Sequence, residues 1–511
     1  MAALTQHTVQ QAAIQSATTP DTTKATHQAA SPQLIYHPQA GTGAADSAGS
    51  SCPGVVHLGL GGFHRAHQAM VFDALIAQGD LRWSICAVGM RSDKLARQID
   101  AQDFLYLVRV SDAKGSQWHA PSAIVKTLVA ATERDAVIAQ IANPHNRWLT
   151  LTITEKAYTP ELAQLIVAGL RKRMTAGLGG LTIASCDNLP DNGRVLSALC
   201  LEQAGRETHE PELRAWIETE CQFPSSMVDR IVPAPSNEVR MAGQRDLGLD
   251  DPTALGVEAF WEWVIEDAFV DPADADALRS VGVVVTDNVA GFEQAKLWML
   301  NGSHTILASA GAVLGDAYIR QVIARPAMRR FINGFMTHAS GPLVGRPNWQ
   351  AYRDALIDRF GNPMIDHACL QVYSDSSQKI PVRWVPVGER LLGGGAGGDI
   401  GTRAGLDYLA MAVAIFARSL LPASESGEPF AFNDPAAPVL QGLAKQQQTD
   451  PAGVIEALLT DAKAKAVFGN KLGQDTDFVK AASVSLASIH ALGLEAAVQS
   501  FVEKFSDVSP P

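Results

Sequence analysis

Cysteine is scarce in this sequence, and no two of its six cysteines form a Cys-x-x-Cys pair. That spacing argues against both a disulfide framework and a cysteine-rich zinc site. Long apolar runs are missing too, since none approaches the roughly 20 residues that cross a bilayer. With a net charge of -12, the chain also lacks the positive excess that nucleic acid attracts. These absences predict a cytoplasmic protein without membrane or nucleic-acid partners, as a monomer or weak oligomer.

The length of 511 residues exceeds what one hydrophobic core organises, and 47% of the residues are hydrophobic. Two domains with terminal tails are therefore expected. Residues 1–50 are rich in Ala, Thr, Gln, Ser and His, show little periodicity and lack the apolar core of a secretory signal. We expect this extension to be disordered.

A glycine-rich turn follows the first apolar run. Residues 55–58 (Val-Val-His-Leu) predict a short buried strand, and residues 59–67 (Gly-Leu-Gly-Gly-Phe-His-Arg-Ala-His) lead from it into a helical pattern. Strand, glycine turn and helix are the context of a dinucleotide fingerprint, in which glycines let the backbone approach a pyrophosphate. His64 stands where a third glycine or alanine is usual, so a plain glycine turn is the alternative for these residues alone.

An acid lies beyond the second predicted strand. Residues 83–90 predict that strand, and Asp93 follows where a ribose hydroxyl is read in doubly wound folds. Asp93 is equally a candidate N-cap for a helix that begins near Lys94. Further strands over 147–154, 181–185 and 281–286 alternate with helical patterns, which predicts a mostly parallel sheet.

Polar turns close two of these strands, over 154–158 and 186–193. In open α/β sheets the ligand binds beyond the carboxyl ends of the strands, so both turns are candidate site segments. Asn192, in the second turn, also fits an ordinary Asn-Gly turn.

Beyond about residue 290 the periodicity becomes helical. Helices are predicted over 294–312, 327–338, 350–359, 405–420, 452–466 and 476–492. An irregular stretch over 371–383 interrupts them, and the glycine run 393–398 is expected to be a flexible connection. The predicted fold is α/β: a Rossmann-type, doubly wound dinucleotide-binding domain over 51–288, a mostly α-helical catalytic domain over 289–495, and a tail over 496–511.

One helix face in the second domain gathers four reactive side chains. At about 100° per residue, they fall within an arc of roughly 140°; they are Glu293, Lys296, Asn301 and His304. Such a face supplies a base, an oxygen-polarising amide, an orienting imidazole and an outer carboxylate, which suffice to take a proton from an alcohol without a metal. A solvated polar face is the ordinary alternative, and it is favoured for these four residues taken alone.

Five blocks, in order, resemble the mannitol dehydrogenase family of polyol-specific long-chain dehydrogenases. They are residues 59–67, 185–193 (Ser-Cys-Asp-Asn-Leu-Pro-Asp-Asn-Gly), 227–233 (Met-Val-Asp-Arg-Ile-Val-Pro), 296–304 (Lys-Leu-Trp-Met-Leu-Asn-Gly-Ser-His) and 375–381 (Asp-Ser-Ser-Gln-Lys-Ile-Pro). The resemblance implies a dinucleotide-binding domain, a helical domain, and metal-free hydride transfer between NAD and C2 of an open-chain sugar alcohol or its ketose.

The resemblance also implies roles for individual residues. Lys296 is similar to the general base, and Asn192 and Asn301 to the amides that polarise the substrate oxygen. His304 is similar to the residue that orients substrate, and Glu293 to the carboxylate that passes the proton to solvent. The substrate set also contains Asp229 and Lys379, which match family positions, and Gln371. Arg383 is added because a carboxylate substrate would need a cation. The cofactor set is Gly59, Gly61, Gly62, Phe63, Arg65, Asp93 and Asn188. No metal ligand is predicted.

Departures from the family pattern leave the substrate open. Gln371 stands where several mannitol-type members have arginine, and Ser376 replaces a usual glycine, so this part looks more like the hexuronate branch that reduces fructuronate to mannonate. Mannitol/fructose and mannonate/fructuronate therefore both remain candidate substrate pairs, and mannitol/fructose is placed first. A non-catalytic dinucleotide sensor is disfavoured by the intact Lys296, Asn301 and His304.

The charged residues after the second predicted strand give opposite indications about the choice between NAD and NADP. Asp93 predicts a preference for NAD, because a carboxylate accepts hydrogen bonds from ribose hydroxyls and repels a 2′-phosphate. Arg91 and Lys94 have the opposite charge, so weaker use of NADP is expected as well. None of the seven tyrosines has a lysine four residues later, which argues against the short-chain dehydrogenase mechanism.

Overall fold

The structure is a computed structural model that describes residues 2–18, 33–38, 52–206, 210–363, 365–393 and 400–505. It forms two compact units, Met1–Val289 and Ala290–Pro511. The division lies one residue from the predicted domain boundary.

The first unit contains both strands and helices. Its strands are β1 (Ala2–Ala3), β2 (Leu34–Ile35), β3 (Val55–Leu58), β4 (Ile85–Gly89), β5 (Val108–Asp112), β6 (Gly115–His119), β7 (Ile124–Val129), β8 (Trp148–Leu151), β9 (Thr182–Ser185), β10 (Ser226–Asp229), β11 (Leu249–Asp250), β12 (Leu255–Glu258), β13 (Glu262–Glu266) and β14 (Val284–Thr286). Its helices are α1 (Gln6–Thr18), α2 (Gly62–Ala66), α3 (Gln68–Ala77), α4 (Lys94–Asp100), α5 (Arg134–Ile141), α6 (Pro160–Thr175), α7 (Asn192–Ala204), α8 (Glu210–Glu220), α9 (Asn237–Leu247) and α10 (Ala273–Ser280).

A five-stranded parallel sheet organises this unit, in the order β7-β4-β3-β8-β9. β3 lies at its centre, where Leu58 pairs with Val88 of β4 and Leu151 of β8. Side chains alternate between the two faces, so Val55 joins one apolar cluster while Val56 and Leu58 join the other. Both faces are covered, as an all-parallel sheet requires, and the predicted doubly wound class is confirmed.

The strand predicted over 281–286 lies elsewhere, which is a correction. It is β14, and it pairs with β13 in a separate three-stranded sheet of order β10-β13-β14. The parallel sheet instead ends at β7, which the sequence did not reveal. β7 carries the exposed Lys126 within its apolar residues, and a charge on an edge strand weakens the apolar pattern by which strands are recognised.

Parts of the N-terminal extension are ordered, contrary to the predicted disorder over 1–50. Helix α1 buries Val9 against a cluster that includes Leu107 and Trp118, and β2 adds a parallel strand beside β6. The alanines and glutamines that obscured the periodicity of this segment are good helix formers, so a small buried stripe is enough to dock it. Residues 19–32 and 39–51 lie outside the described residues.

Helices build the second unit, and the predicted helical class is confirmed. They are α11 (Val289–Gln294), α12 (Gly302–Leu314), α13 (Ile319–Ala324), α14 (Pro326–Gly334), α15 (Trp349–Phe360), α16 (Cys369–Tyr373), α17 (Ser376–Arg383), α18 (Val385–Leu392), α19 (Ile400–Ser419), α20 (Ala437–Ala444), α21 (Pro451–Thr460), α22 (Lys465–Phe468), α23 (Thr476–Leu492) and α24 (Leu494–Glu503). Two π-helical segments, Ala295–Asn301 and Phe335–Ser340, interrupt them. α12 is buried along almost its whole length.

Two predicted segments of this unit differ from the structure, and a third lies largely outside the described residues. Residues 371–383 are not irregular, because they form the end of α16 and all of α17, separated at Asp375 by a positive φ of 55°. The tail predicted over 496–511 begins inside α24. The glycine run lies outside the described residues from Gly394 onward. None of the described helices combines the length and apolar composition that a membrane crossing needs.

Candidate active site

A cleft of about 740 Å³ opens at the carboxyl end of the parallel sheet. Its walls come from the segments that follow β3, β4, β7 and β8, which are residues 59–61, 89–92, 130–131 and 152–154. Ligands of open α/β sheets bind at this edge, so the predicted glycine turn lies where a dinucleotide site belongs.

Gly59 occupies a position that accepts no side chain. Its φ is +112°, and a Cβ there would lie 2.1 Å from the carbonyl oxygen of Thr152. Gly61, the N-cap of α2, meets only the Gly59 oxygen, at 3.9 Å, and both glycines line the cleft. The bare backbone thus leaves room for the close approach of a pyrophosphate, and the turn fits a dinucleotide.

The residue that replaces the third glycine of the fingerprint has a structural role. The His64 ring stacks on that of His57, with ring centres 3.4 Å apart. His57 in turn hydrogen-bonds Thr150 Oγ1 at 2.7 Å and Thr152 Oγ1 at 2.8 Å. Burial lowers the pKa of His57 to about 3 and holds the pKa of His64 well below its usual value. Both rings are therefore neutral at pH 7, which allows helix and strand to pack closely without a glycine.

Arg65 does not line the cleft, which corrects its assignment to the cofactor set. The side chain is 1% exposed, its Nη1 donates to the Thr253 carbonyl oxygen at 2.7 Å, and its guanidinium lies over the Tyr106 ring. Its backbone N–H donates to the Gly61 oxygen. Phe63 stacks on the His67 ring beside it, and with Gly62 it opens α2; a cofactor contact by either stays a prediction.

Asp93 makes no contact that tests its predicted role as ribose reader, and that role stays a prediction. It is the N-cap residue of α4 by position, yet its carboxylate makes no capping bond. Instead it pairs with Arg97 one turn later, at 2.6 Å, and it is absent from the cleft lining. The neighbours that line the cleft are Arg91 and Ser92. The sequence correctly indicated the segment, but it could not show which of its side chains turns inward.

The polar turn after β9 is fastened by Asp187. Its carboxylate accepts the backbone N–H groups of Ile153 and Thr154, which ties the ends of β8 and β9 together. Tyr158 donates to the same carboxylate at 3.0 Å. No role was predicted for Asp187, although an acid after a strand end is a recognisable signal. Asn188, the next residue, is exposed and stays a predicted cofactor contact.

Asn192 is fully buried at the start of α7. Its Nδ2 donates to the carbonyl oxygens of Asp187 at 3.0 Å and Ser226 at 2.8 Å, while its Oδ1 accepts the Ser226 N–H at 2.9 Å. Because an amide has two N–H bonds, neither is left for a substrate oxygen. In this structure Asn192 therefore fixes α7 to β10, and its oxygen-polarising role stays a prediction. Asp229, at the end of β10, is buried as well.

The lysine segment of the second unit is π-helical, not a regular α-helix. Residues 295–301 follow the i to i+5 pattern, so residues five apart stack on one side of the segment. In an α-helix Lys296 and Asn301 would stand about 140° apart. The π-helical segment brings these two side chains onto one face, and α12 continues directly into the buried His304.

Positively charged and imidazole side chains surround His304. Its ring packs on Phe360 at 4.7 Å and on His367 at 5.2 Å. Burial is the main cause that lowers its pKa well below the usual value, and the nearby His367, Arg383, Arg359 and Lys379 lower it further. His304 is therefore a neutral hydrogen-bonding group at pH 7. Sequence analysis did not identify His367 or Arg359, since neither lies in a recognised block.

The two predicted substrate cations have distinct settings. Arg383 donates through Nη1 to the Asn301 carbonyl oxygen at 3.1 Å and to Thr305 Oγ1 at 2.9 Å. Burial lowers the pKa of Arg383 to about 10. Lys379 donates to the Val372 carbonyl oxygen at 2.9 Å, and burial, then Arg383, lower its pKa to about 8.

The remaining predicted residues are placed as follows. Glu293 and Lys296 are half-buried, Gln371 is exposed on α16, and the Asn301 amide makes no hydrogen bond to the described residues. Within the described ranges, no group of three or more His, Cys, Asp or Glu residues has an arrangement that holds a metal ion.

A doubly wound domain with a glycine turn, followed by a helical domain that carries a lysine on a π-helical segment, defines a class of two-domain dehydrogenases. The chain belongs to the mannitol dehydrogenase family and is an oxidoreductase. The family's Rossmann domain matches residues 53–275, and its C-terminal domain matches residues 288–490. The predicted family is thereby confirmed.

Relatives with different named substrates resemble this chain about equally. D-Mannonate oxidoreductase of Escherichia coli (strain K12) is 33% identical over 465 residues, which cover 84% of this chain and 92% of that protein. Mannitol 2-dehydrogenase of Phaeosphaeria nodorum is 31% identical over 483 residues, covering 88% and 81%. The Pseudomonas fluorescens mannitol 2-dehydrogenase ternary complex with NAD and D-mannitol has a TM-score of 0.75 at 30% identity, covering 98% of this chain and 100% of that one.

Proposed function

We propose that the protein transfers a hydride between NAD and C2 of an open-chain sugar alcohol or its ketose, with Lys296 as the base. One observation supports the proposal: Lys296 and Asn301 are five residues apart in a π-helical segment, and α12 continues from it to a neutral, buried His304. Base, amide donor and imidazole are the groups that a metal-free alcohol oxidation needs.

The first unit supplies the residues that hold the cofactor. Gly59 and Gly61 leave backbone space for the pyrophosphate, and the walls after β4 and β7 hold the adenosine end. When bound, NAD supplies the hydride acceptor for oxidation, and its reduced form supplies the donor for the reverse direction.

The second unit supplies proton transfer. The neutral amine of Lys296 accepts the hydroxyl proton, and the Asn301 amide donates to the oxygen as negative charge develops on it. His304 orients the substrate through its neutral ring, and Glu293, one turn before the lysine, relays the proton to solvent. Arg383 holds the Asn301 backbone carbonyl and so fixes the end of the π-helical segment.

Replacement of the base tests this proposal. We expect Lys296→Ala to lower kcat by about 10²–10⁴-fold, because a positioned base contributes that much to rate. The dissociation constant for NAD should change by less than about twofold, since the cofactor cleft is built by the first unit. Added methylamine should restore part of the rate, and Lys94→Ala, at an exposed lysine, serves as the control. Activity within about tenfold of the parent would exclude Lys296 as the base.

A hexuronate is the second candidate substrate, and the charges around His304 favour it. Arg359, Arg383 and Lys379 all lie close enough to influence the imidazole. Within the described residues, the buried Arg383 Nε and His367 Nδ1 have no hydrogen-bond partner. A substrate carboxylate satisfies such donors, whereas a polyol hydroxyl leaves the positive charge uncompensated.

A direct comparison of substrates distinguishes the two candidates. If the cations read a carboxylate, fructuronate should exceed fructose in kcat/KM by at least about tenfold, the value of one charged hydrogen bond. Arg383→Gln should then reduce the advantage mainly through KM. An equal or higher kcat/KM for fructose would assign the site to mannitol and fructose.

A further inference from the structure

We infer that the adenosine end of the cleft reads a 2′-phosphate through Arg91 and Arg134, so that the protein binds NADP at least as tightly as NAD. The inference rests on the proposed function only in that the cleft holds a dinucleotide. It reverses the preference that Asp93 predicted from the sequence.

The two arginines come from neighbouring strand ends. Arg91 lies two residues beyond β4, and Arg134 begins α5, five residues beyond β7. β4 and β7 are adjacent and parallel, with Gly89 paired to Val129, so the two segments leave the sheet side by side. Both arginines line the cleft and both are exposed to solvent within it. The segment after the second strand of a doubly wound fold is where the ribose hydroxyl or its phosphate is read.

The acids beside these arginines in sequence are held elsewhere. Asp93 pairs with Arg97 at 2.6 Å, and the Glu133 carboxylate accepts the Val129 N–H at 2.8 Å. Neither residue lines the cleft. Among the residues that do, Glu161 is the one acid, and it belongs to the first turn of α6, beyond β8. The walls that follow β4 and β7 therefore carry positive charge without a carboxylate.

This charge pattern selects between the two cofactors. A free ribose 2′-hydroxyl is read by a carboxylate that accepts a hydrogen bond from it, and no acid lines the cleft walls that follow β4 and β7. A 2′-phosphate is an anion with three acceptor oxygens, which the planar guanidinium of arginine pairs in bidentate geometry. Ser92, between Arg91 and Asp93, also lines the cleft and adds a hydroxyl donor.

Nucleotide fragments test the inference without relying on turnover. We expect 2′,5′-ADP to bind the parent protein at least about tenfold more tightly than 5′-AMP in calorimetric titrations at low ionic strength. The double variant Arg91→Ala with Arg134→Ala should abolish that difference while leaving the affinity for 5′-AMP within about twofold. Lys114→Ala removes a like charge at an exposed position outside the cleft lining, so it should keep the difference.

The outcomes separate this inference from the proposed reaction. Equal affinity for the two fragments, a difference that survives the double variant, or binding of neither fragment would each overturn it. If the fragments behave as expected but no polyol or uronate is oxidised with either cofactor, the reading of the 2′-phosphate stands and the proposed reaction fails. A kcat/KM with NADP at or above that with NAD would support both.

Discussion

Two primary amides that family resemblance treats as a pair have opposite environments here. The Asn192 amide is fully buried and has both N–H bonds donated to backbone carbonyls of Asp187 and Ser226. The Asn301 amide is half-buried and makes no hydrogen bond to the described residues. A donor that is already committed is not available to charge that develops on another oxygen, so we expect the two residues to serve different purposes.

Alanine variants should therefore separate stability from turnover. Asn192→Ala leaves the Ser226 N–H and two carbonyl groups unsatisfied, so we expect a loss of about 1–3 kcal/mol in unfolding free energy. Asn301→Ala should lower kcat by about 10²–10³-fold with little change in stability, because its donor acts in the transition state. Chemical denaturation and steady-state kinetics measure both quantities. If Asn192→Ala lowered kcat as severely as Asn301→Ala without a loss of stability, Asn192 would share the role of polarising the substrate oxygen.

The role of a residue could be predicted from the sequence where it depends on immediate neighbours, and could not be predicted where it depends on residues far along the chain. Gly59 was recognisable because the turn geometry that requires glycine is set by its immediate neighbours. Arg65 was not, because the Thr253 carbonyl that holds it is 188 residues away. The ion pair between Asp93 and Arg97 was not predicted, because the sequence alone does not show where the carboxylate points.

At the scale of elements, the π-helical segment at 295–301 has the clearest functional consequence. Residues five apart in a π-helix occupy the relation that residues four apart have in an α-helix. The family block separates its lysine and asparagine by five positions, so the wider turn is what aligns them. A regular helix was predicted because apolar periodicity over seven residues does not distinguish the two geometries.

Changes in length test that alignment. Deletion of Leu297 lets the segment relax to an α-helix with lysine and asparagine four residues apart, so we expect kcat to fall by no more than about tenfold. Insertion of one alanine after Leu297 turns the lysine about 100° away, and a loss of at least about 10²-fold is expected, as misplacement of a catalytic group produces. Circular dichroism verifies the fold of both variants. A deletion as damaging as the insertion would mean that the π-helical hydrogen bonds themselves are required.

A titrating contact joins residues 33–38 of the N-terminal extension to helix α3. His37 Nδ1 lies 3.2 Å from Asp73 Oδ2, and this hydrogen bond raises the pKa of His37. A raised pKa means that the contribution to docking is full below about pH 6.5 and is lost as the pH rises through the folded value. We expect hydrogen exchange over residues 33–38, corrected for intrinsic rates, to become faster relative to the rest of the unit toward about pH 8. In His37→Gln this pH dependence should vanish; if it persists, another group controls the docking.

How well elements could be predicted follows from the same physics. Strands β3, β4, β8 and β9 are largely buried on both faces, so the sequence predicted the ends of each within three residues. β7 and α1 were missed because each buries one narrow face, which leaves a weak periodic signal. The position of β14 in a second sheet is set by its pairing with β13, which no local pattern records.

At the scale of the whole molecule, the folded chain holds several histidines in a neutral state. Burial lowers the pKa of His57 to about 3 and of His119 to about 4, and it holds the pKa values of His64 and His304 well below the usual value. Three of these four histidines lie in the first unit, and His304 lies in the second. One hydrogen bond raises the pKa of His37. This single group offsets only a small part of the effect that the histidines with lowered pKa values have on stability.

These shifts predict that the protein loses stability in mild acid. Unfolded histidines titrate near 6.5, so below that pH the unfolded chain binds protons that the folded chain does not accept. Stability is therefore full above about pH 6.5 and falls below it, by about 1.4 kcal/mol per pH unit for each such histidine. We expect Tm to be several degrees lower at about pH 5 than at about pH 7. His119→Gln should reduce this slope because it removes one of the groups, whereas His145→Gln, at an exposed position, should leave it unchanged. A Tm that is flat or rises toward pH 5 would show that the folded protein accommodates the charged rings.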